Sequence, residues 1–237
     1  MSINLMPIVE AVYNHYSEFP YVKLLIRYEF SPSGSYKFLV RYISESGETV
    51  STEIDSDPID NELEKISEYF ETLIKTEEKF NRFIIEINKD KTYSHRLYWD
   101  FKKEKQDWLN TAEVFYQWVN QAMMSMIFEY EKDNALLSVQ YDEDGDLEYL
   151  SSWDSGVFTF HVNDKEELKH SVLLTKDGKE RELAMPLKDY FIHGILEHHK
   201  VTNTDLADVW KPWNTMKLKS LHYDIPYDKR EEFVRYL

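Results

Sequence analysis

Apolar residues recur along this chain with two periods, and the switches between them divide it into elements. Leu5, Ile8, Val9, Val12, Tyr13 and Tyr16 fall three and four apart, which predicts an amphipathic first helix ending near Phe19 and Pro20. The period then shortens to two: residues 22–30 and 36–43 read as a hairpin across Ser31, Pro32, Ser33 and Gly34, and residues 49–54 as a third strand. Asp57 and Pro58 suit the cap and first position of a helix whose buried stripe is Ile59, Leu63, Ile66, Phe70, Leu73 and Ile74. Phe83, Ile85 and Ile87, and after them Tyr93, His95, Leu97, Trp99 and Phe101, alternate on either side of the polar turn Asn88 to Lys91, a second hairpin. Trp108, Ala112, Phe115, Val119, Met123, Met126 and Tyr130 then restore the helical period.

Short strands follow. Residues 136–141 and 147–150 flank a turn of Asp142, Glu143, Asp144, Gly145 and Asp146; residues 157–162 form a strand; residues 172–175 and 181–184 pair around Asp177 and Gly178. Helices are predicted over 187–199, 204–210 and 228–237, the last opened by Asp228 and Glu231 at capping-box spacing. Helices grouped beside antiparallel strands give an α+β class, antiparallel sheets with helices packed on one face. The polar stretch 129–134 is the candidate boundary between residues 1–130 and 131–237. No Gly, Ser or Pro-rich linker marks it, so the two parts are closely apposed subdomains or share one continuous sheet.

Composition narrows the function classes. With 237 residues, 42% apolar and 15% aromatic, the chain can bury a sizeable core. A formal net charge of −16 repels phosphates and anionic membrane, so the partner it predicts is a basic protein, with no nucleic acid and no membrane. Without cysteine there is no thiolate nucleophile and no thiolate metal site. Residues 1–20 carry no cationic leader pattern and no stretch approaches the ~20 apolar residues of a membrane span, so a cytoplasmic location is expected.

The acid is concentrated. Residues 45–78 hold twelve acidic side chains against Lys65 and Lys75. Glu64, Glu68, Glu71 and Glu78 fall opposite the apolar stripe of the second helix, a row that is mildly unfavourable unless something cationic meets it. Asp142, Asp144 and Asp146 have the opening spacing of a calcium loop, but glycine stands fourth and Trp153 twelfth, so a hairpin turn that extends the acidic surface fits better. His193, Glu197, His198 and His199 match neither order of zinc-helix motif, because three residues separate His193 from Glu197 and the two histidines five apart do not share a face. There is no glycine-rich phosphate loop and no nucleophile elbow; no catalytic residue, metal site or cofactor is predicted. Trp99 and Trp108 read as core, Tyr98 and Asp100 as an exposed strand edge, and Trp213, in the aromatic loop 211–214, as a contact site or a plug.

The run Tyr98, Trp99, Asp100, Phe101, followed by a charged connection to Trp108 and an aromatic helix, resembles the C-terminal half of the YezG-type immunity proteins. The resemblance covers residues 1–130 and departs from the family where Lys102, Lys103 and Lys105 replace an acidic linker. It implies a non-enzymatic antitoxin that binds a cognate nuclease toxin, steered by the acidic surface and anchored by Tyr98 or Trp213. Two other readings stand beside it: a metal-assisted hydrolase using carboxylates with His193 or His198, and an acidic interaction module with a non-toxin partner.

Overall fold

The computed structural model describes residues 4–31, 35–52, 60–221 and 234–235. The fold is α+β, and the strand pairings of its sheets are antiparallel. Two compact units divide it, Met1–Asp107 and Trp108–Leu237. The division falls well before residues 129–134, because helix α3 (Phe101–Asp133) runs unbroken to that stretch.

In the first unit, α1 (Met6–His15), β1 (Tyr21–Phe30), β2 (Tyr36–Ser44) and β3 (Thr49–Thr52) precede α2 (Asp60–Leu73), β4 (Arg82–Asn88) and β5 (Tyr93–Tyr98). The sheet order is β3-β2-β1-β4-β5, with β1 paired on both sides. Along β1 the side chains alternate strictly: Leu24, Ile26, Tyr28 and Phe30 are buried, while Lys23, Leu25, Arg27 and Glu29 lie half-exposed on the other face. Ile8, Val9 and Val12 of α1 and Leu63, Ile66 and Phe70 of α2 complete the buried side. Phe30 stacks on Phe70 with ring centroids 4.4 Å apart, and the Tyr28 hydroxyl donates to the Leu63 carbonyl at 3.0 Å. Burial, more than any neighbour, raises the pKa of that hydroxyl.

The strand predicted to reach Phe101 stops at Tyr98, and the supposed connection is the opening of α3. Asp100 Oδ1 accepts from the amides of Lys102 (3.0 Å) and Lys103 (3.2 Å), the N2 and N3 donors of a capped helix, so Asp100 starts the helix. Asn81 grips the same residue from β4's leading edge, taking its amide at 2.6 Å and giving to its carbonyl at 2.9 Å.

The second unit holds α3 from Trp108 onward, then β6 (Val139–Tyr141), β7 (Leu147–Tyr149), β8 (Ser155–Val162), β9 (Leu168–Lys176), β10 (Lys179–Glu182), α4 (Asp189–Asn203) and β11 (Thr215–Leu221). Strands β8 to β11 form a sheet of order β10-β9-β8-β11; β6 and β7 make a separate two-stranded ribbon. Phe158, Phe160, Val172, Leu174, Met216 and Leu218 on one sheet face pack against Val119, Met123 and Ile127 of α3 and Phe191 and Ile195 of α4. A β-carbon at Gly194 would stand 2.6 Å from the Trp118 indole, so this mid-helix glycine is there to admit that ring.

Three expectations change here. Residues 204–209 are a run of turns, not a helix, and Trp210 forms an isolated bridge with Val234. Val234 therefore does not belong to a helix over 228–237; the remainder of that stretch, like the helix start at Asp57 and Pro58 and the turn 32–34, lies outside the described residues. Strand β11 was not anticipated.

Candidate functional site

On α2, Glu64, Glu68 and Glu71 are exposed, opposite Leu63, Ile66 and Phe70. Glu78 does not continue the row: α2 ends at Leu73, and Glu78 sits in the following turn with its amide donating to Thr76 Oγ1 at 3.2 Å. Tyr98 projects from the opposite side of the sheet, because it pairs with Arg82, which stands across from Glu29 on the face away from α1 and α2. The glutamate row and Tyr98 thus form no common surface. Asp100 is committed to its cap and to Arg82, whose Nε lies 3.2 Å from Oδ2. Although burial acts to raise its pKa, the Lys103 amide and the Arg82 guanidinium hold it below the usual carboxylate value. Trp99 is held by Glu104, which accepts from its Nε1 at 2.8 Å, and by Lys79, whose ammonium lies 4.2 Å from the ring centroid.

Trp213 is half-buried and tied to α4. Its Nε1 donates to Thr202 Oγ1 at 3.0 Å, Asn203 bonds both its amide and its carbonyl, and His199 meets the ring edge-on at 4.9 Å. Beside it His198 is stacked on Phe115 at 3.5 Å and edged by Trp210, with no hydrogen-bond partner for either ring nitrogen. Burial, helped by neighbouring His199, pushes its pKa down to about 3, so it is neutral at physiological pH. His193 is exposed, 4.0 Å from Glu197. His193 and His198 are not brought together, and among the described residues no group of three or more histidines and carboxylates is placed to hold a metal ion.

The surface that sequence reasoning half-found is the β6–β7 ribbon. Its turn is the hairpin turn expected: Asp142 Oδ1 accepts from the amides of Asp144 (3.0 Å) and Asp146 (2.8 Å), and Gly145 takes φ +84°. Its apolar face was missed. Pairing of Val139 with Tyr149 and of Tyr141 with Leu147 puts all four side chains on one face, while Gln140 and Glu148 bond each other on the reverse at 2.6 Å. Only Tyr149 is seated, edge-on against Phe128 at 5.5 Å; Val139, Leu147 and, at 73% exposure, Tyr141 face water. The alternation of Val139 with Tyr141 and of Leu147 with Tyr149 around the turn was the available signal.

At the ribbon's foot a cleft of about 220 Å³ is lined by Met124, Phe128, Leu137, Tyr149, Trp153 and Glu131. The Glu131 carboxylate is buried, takes a hydrogen bond from Ser152 Oγ at 2.5 Å and pairs with Arg181. This gives the ribbon a fixed base and a free end. The chain matches no protein-family model and no curated protein.

Proposed function

We propose that this protein is a binding protein without catalytic activity, whose partner is a basic protein that it neutralises by occupying its working surface. The observation that carries this reading is the β6–β7 ribbon: an apolar stripe of Val139, Tyr141 and Leu147 left in water, beside Asp142, Glu143, Asp144, Asp146 and Glu148, with no basic residue between Asn134 and Ser152. Exposed apolar anchors rimmed by charge of one sign suit a partner with an apolar groove bordered by lysine and arginine. The exposed Glu64, Glu68 and Glu71 of α2 add to the attraction at long range. The likeness of residues 98–101 and 108 to YezG-type immunity proteins supports a nuclease toxin as that basic protein.

A photo-crosslinking amino acid at position 141, with a second protein carrying it at the exposed Lys165, tests this in cells of the protein's source. A basic polypeptide captured from position 141 and not from 165, lost on Leu147→Asp, and toxic when expressed without this chain is the expected result. Equal capture from both positions would remove the ribbon as the interface. A captured basic partner that is harmless alone would leave the binding surface and remove the toxin.

A further inference from the structure

We propose that the open face of the five-stranded sheet in residues 1–107 binds a phosphate monoester, held by Arg27, Arg41 and Arg96. This site is separate from the acidic ribbon and takes a ligand of opposite charge. Register brings the three together. Arg27 on β1 stands directly across from Ile84 on β4, and Ile84 across from Arg96 on β5, so two arginines flank one isoleucine in a row. Arg27 also pairs with Leu39 on β2, and Arg41, two residues further along β2, is its diagonal neighbour on the same face. All three arginines line one cleft of about 240 Å³, whose floor is Leu25, Leu39 and Ile84. Ile84, flanked in register by Arg27 and Arg96 on the face opposite α1 and α2, is only 6% exposed.

Among the described residues the charges on this face do not cancel. Lys23 is paired with Glu86 at 2.8 Å, which neutralises the carboxylate lining the cleft. Glu29 and Asp100 together balance Arg82 and Arg27, through contacts of Glu29 with both arginines and of Asp100 with Arg82. Among the described residues Arg41 and Arg96 are left over. Arg96 meets the Tyr98 ring, at 5.7 Å, and Arg41 Nε is buried without a hydrogen-bond partner among the described residues. A guanidinium N–H shielded from water and given no acceptor is costly, and two like charges beside a third repel, so the arrangement is one that an anion completes. The surplus of two positive charges matches the charge of a phosphate monoester above its second pKa of about 6, and planar guanidinium forks fit its oxygens. The apolar floor favours an ester with a hydrophobic body over inorganic phosphate.

Calorimetric titration of the full chain at low salt decides this, using phenyl phosphate, inorganic phosphate, phenylacetate and a short single-stranded oligonucleotide as probes. Phenyl phosphate should bind tightest, with affinity rising several-fold as pH goes from 5 to 7. Arg41→Gln and Arg96→Gln should each weaken it about tenfold or more, while Lys217→Gln on the second unit's sheet leaves it unchanged. Because either glutamine variant could perturb folding, Arg41→Lys, which keeps the charge and loses the fork, serves as the second test and should retain intermediate affinity. No binding of phenyl phosphate, binding indifferent to Arg41 and Arg96, or tighter binding of phenylacetate or the oligonucleotide would overturn the proposal.

Discussion

The outer face of the five-stranded sheet and the β6–β7 ribbon are both antiparallel surfaces that set apolar side chains beside charged ones, yet they differ in charge and in support. The sheet face presents uncompensated arginines over Leu25, Leu39 and Ile84; the ribbon presents carboxylates beside Val139, Tyr141 and Leu147. A net charge of −16 describes the sum and conceals the first of these. Support differs as much. The arginines stand on β1, β2 and β5 of a sheet backed by a full core, so their positions are set before any ligand arrives. The ribbon has three residues in each strand and is seated through Tyr149 and the chain beyond it, and two strands alone are marginal in water. A rigid cationic cleft suits a small ligand; a tethered apolar finger suits a protein surface to which it can adjust.

The difference can be broken most severely at the ribbon's base. Arg181→Ala strands the buried Glu131 carboxylate with Ser152 as its remaining bonded partner. Because Arg181 itself is 41% exposed, the loss should be about 2 kcal/mol, below the ~3–5 kcal/mol of a fully buried pair. Urea unfolding measures it, and hydrogen exchange should quicken in residues 139–149 while β1 and β4 keep their protection. Equal quickening in both would mean that the two surfaces do not differ in support.

Acid should separate the two regions next. His198 has its folded pKa depressed to about 3 from an ordinary 6.5, so between these values the unfolded chain binds the proton and the folded chain does not. Stability contributed by the neutral ring is therefore present at pH 7 and lost as pH falls, by about 1.4 kcal/mol at pH 5.5. His198→Phe should flatten the pH dependence of unfolding in residues 108–237 over that window. Asp100, whose pKa is lowered, opens a separate window below the ordinary carboxylate value, where the first unit loses stability as its cap is protonated. The smallest effect is expected at Tyr141: Tyr141→Ser should change stability by less than ~0.5 kcal/mol, since the side chain is already in water, and any larger loss would show that the stripe serves the fold.

Local pattern carried much of this fold. The steps of three and four at Ile8, Val9 and Val12 found α1, and the spacing of glycine in 142–146 pointed to a hairpin turn in place of a calcium loop. Strand β11 also has a period of two, with Met216, Leu218 and Ser220 buried, but lysines at 217 and 219 and a polar third inward position hide it. Asp100 looked like an exposed strand residue because its role depends on where β5 stops, and that is set by Asn81, nineteen positions earlier. The arginine cleft was beyond reach for a different reason. Arg27, Arg41 and Arg96 are single residues on three strands, and only sheet order and register make them neighbours.

Gly194 sets a limit on how this protein can drift. On propensity alone it is the weakest residue in α4, the place where almost any substitution should improve the helix. The Trp118 ring stacked on Phe191 at 5.1 Å makes the opposite true, because even a methyl group at 194 would collide with the indole. An exchange there becomes tolerable only after position 118 has already become smaller, so the two sites can change in one order and not in the other.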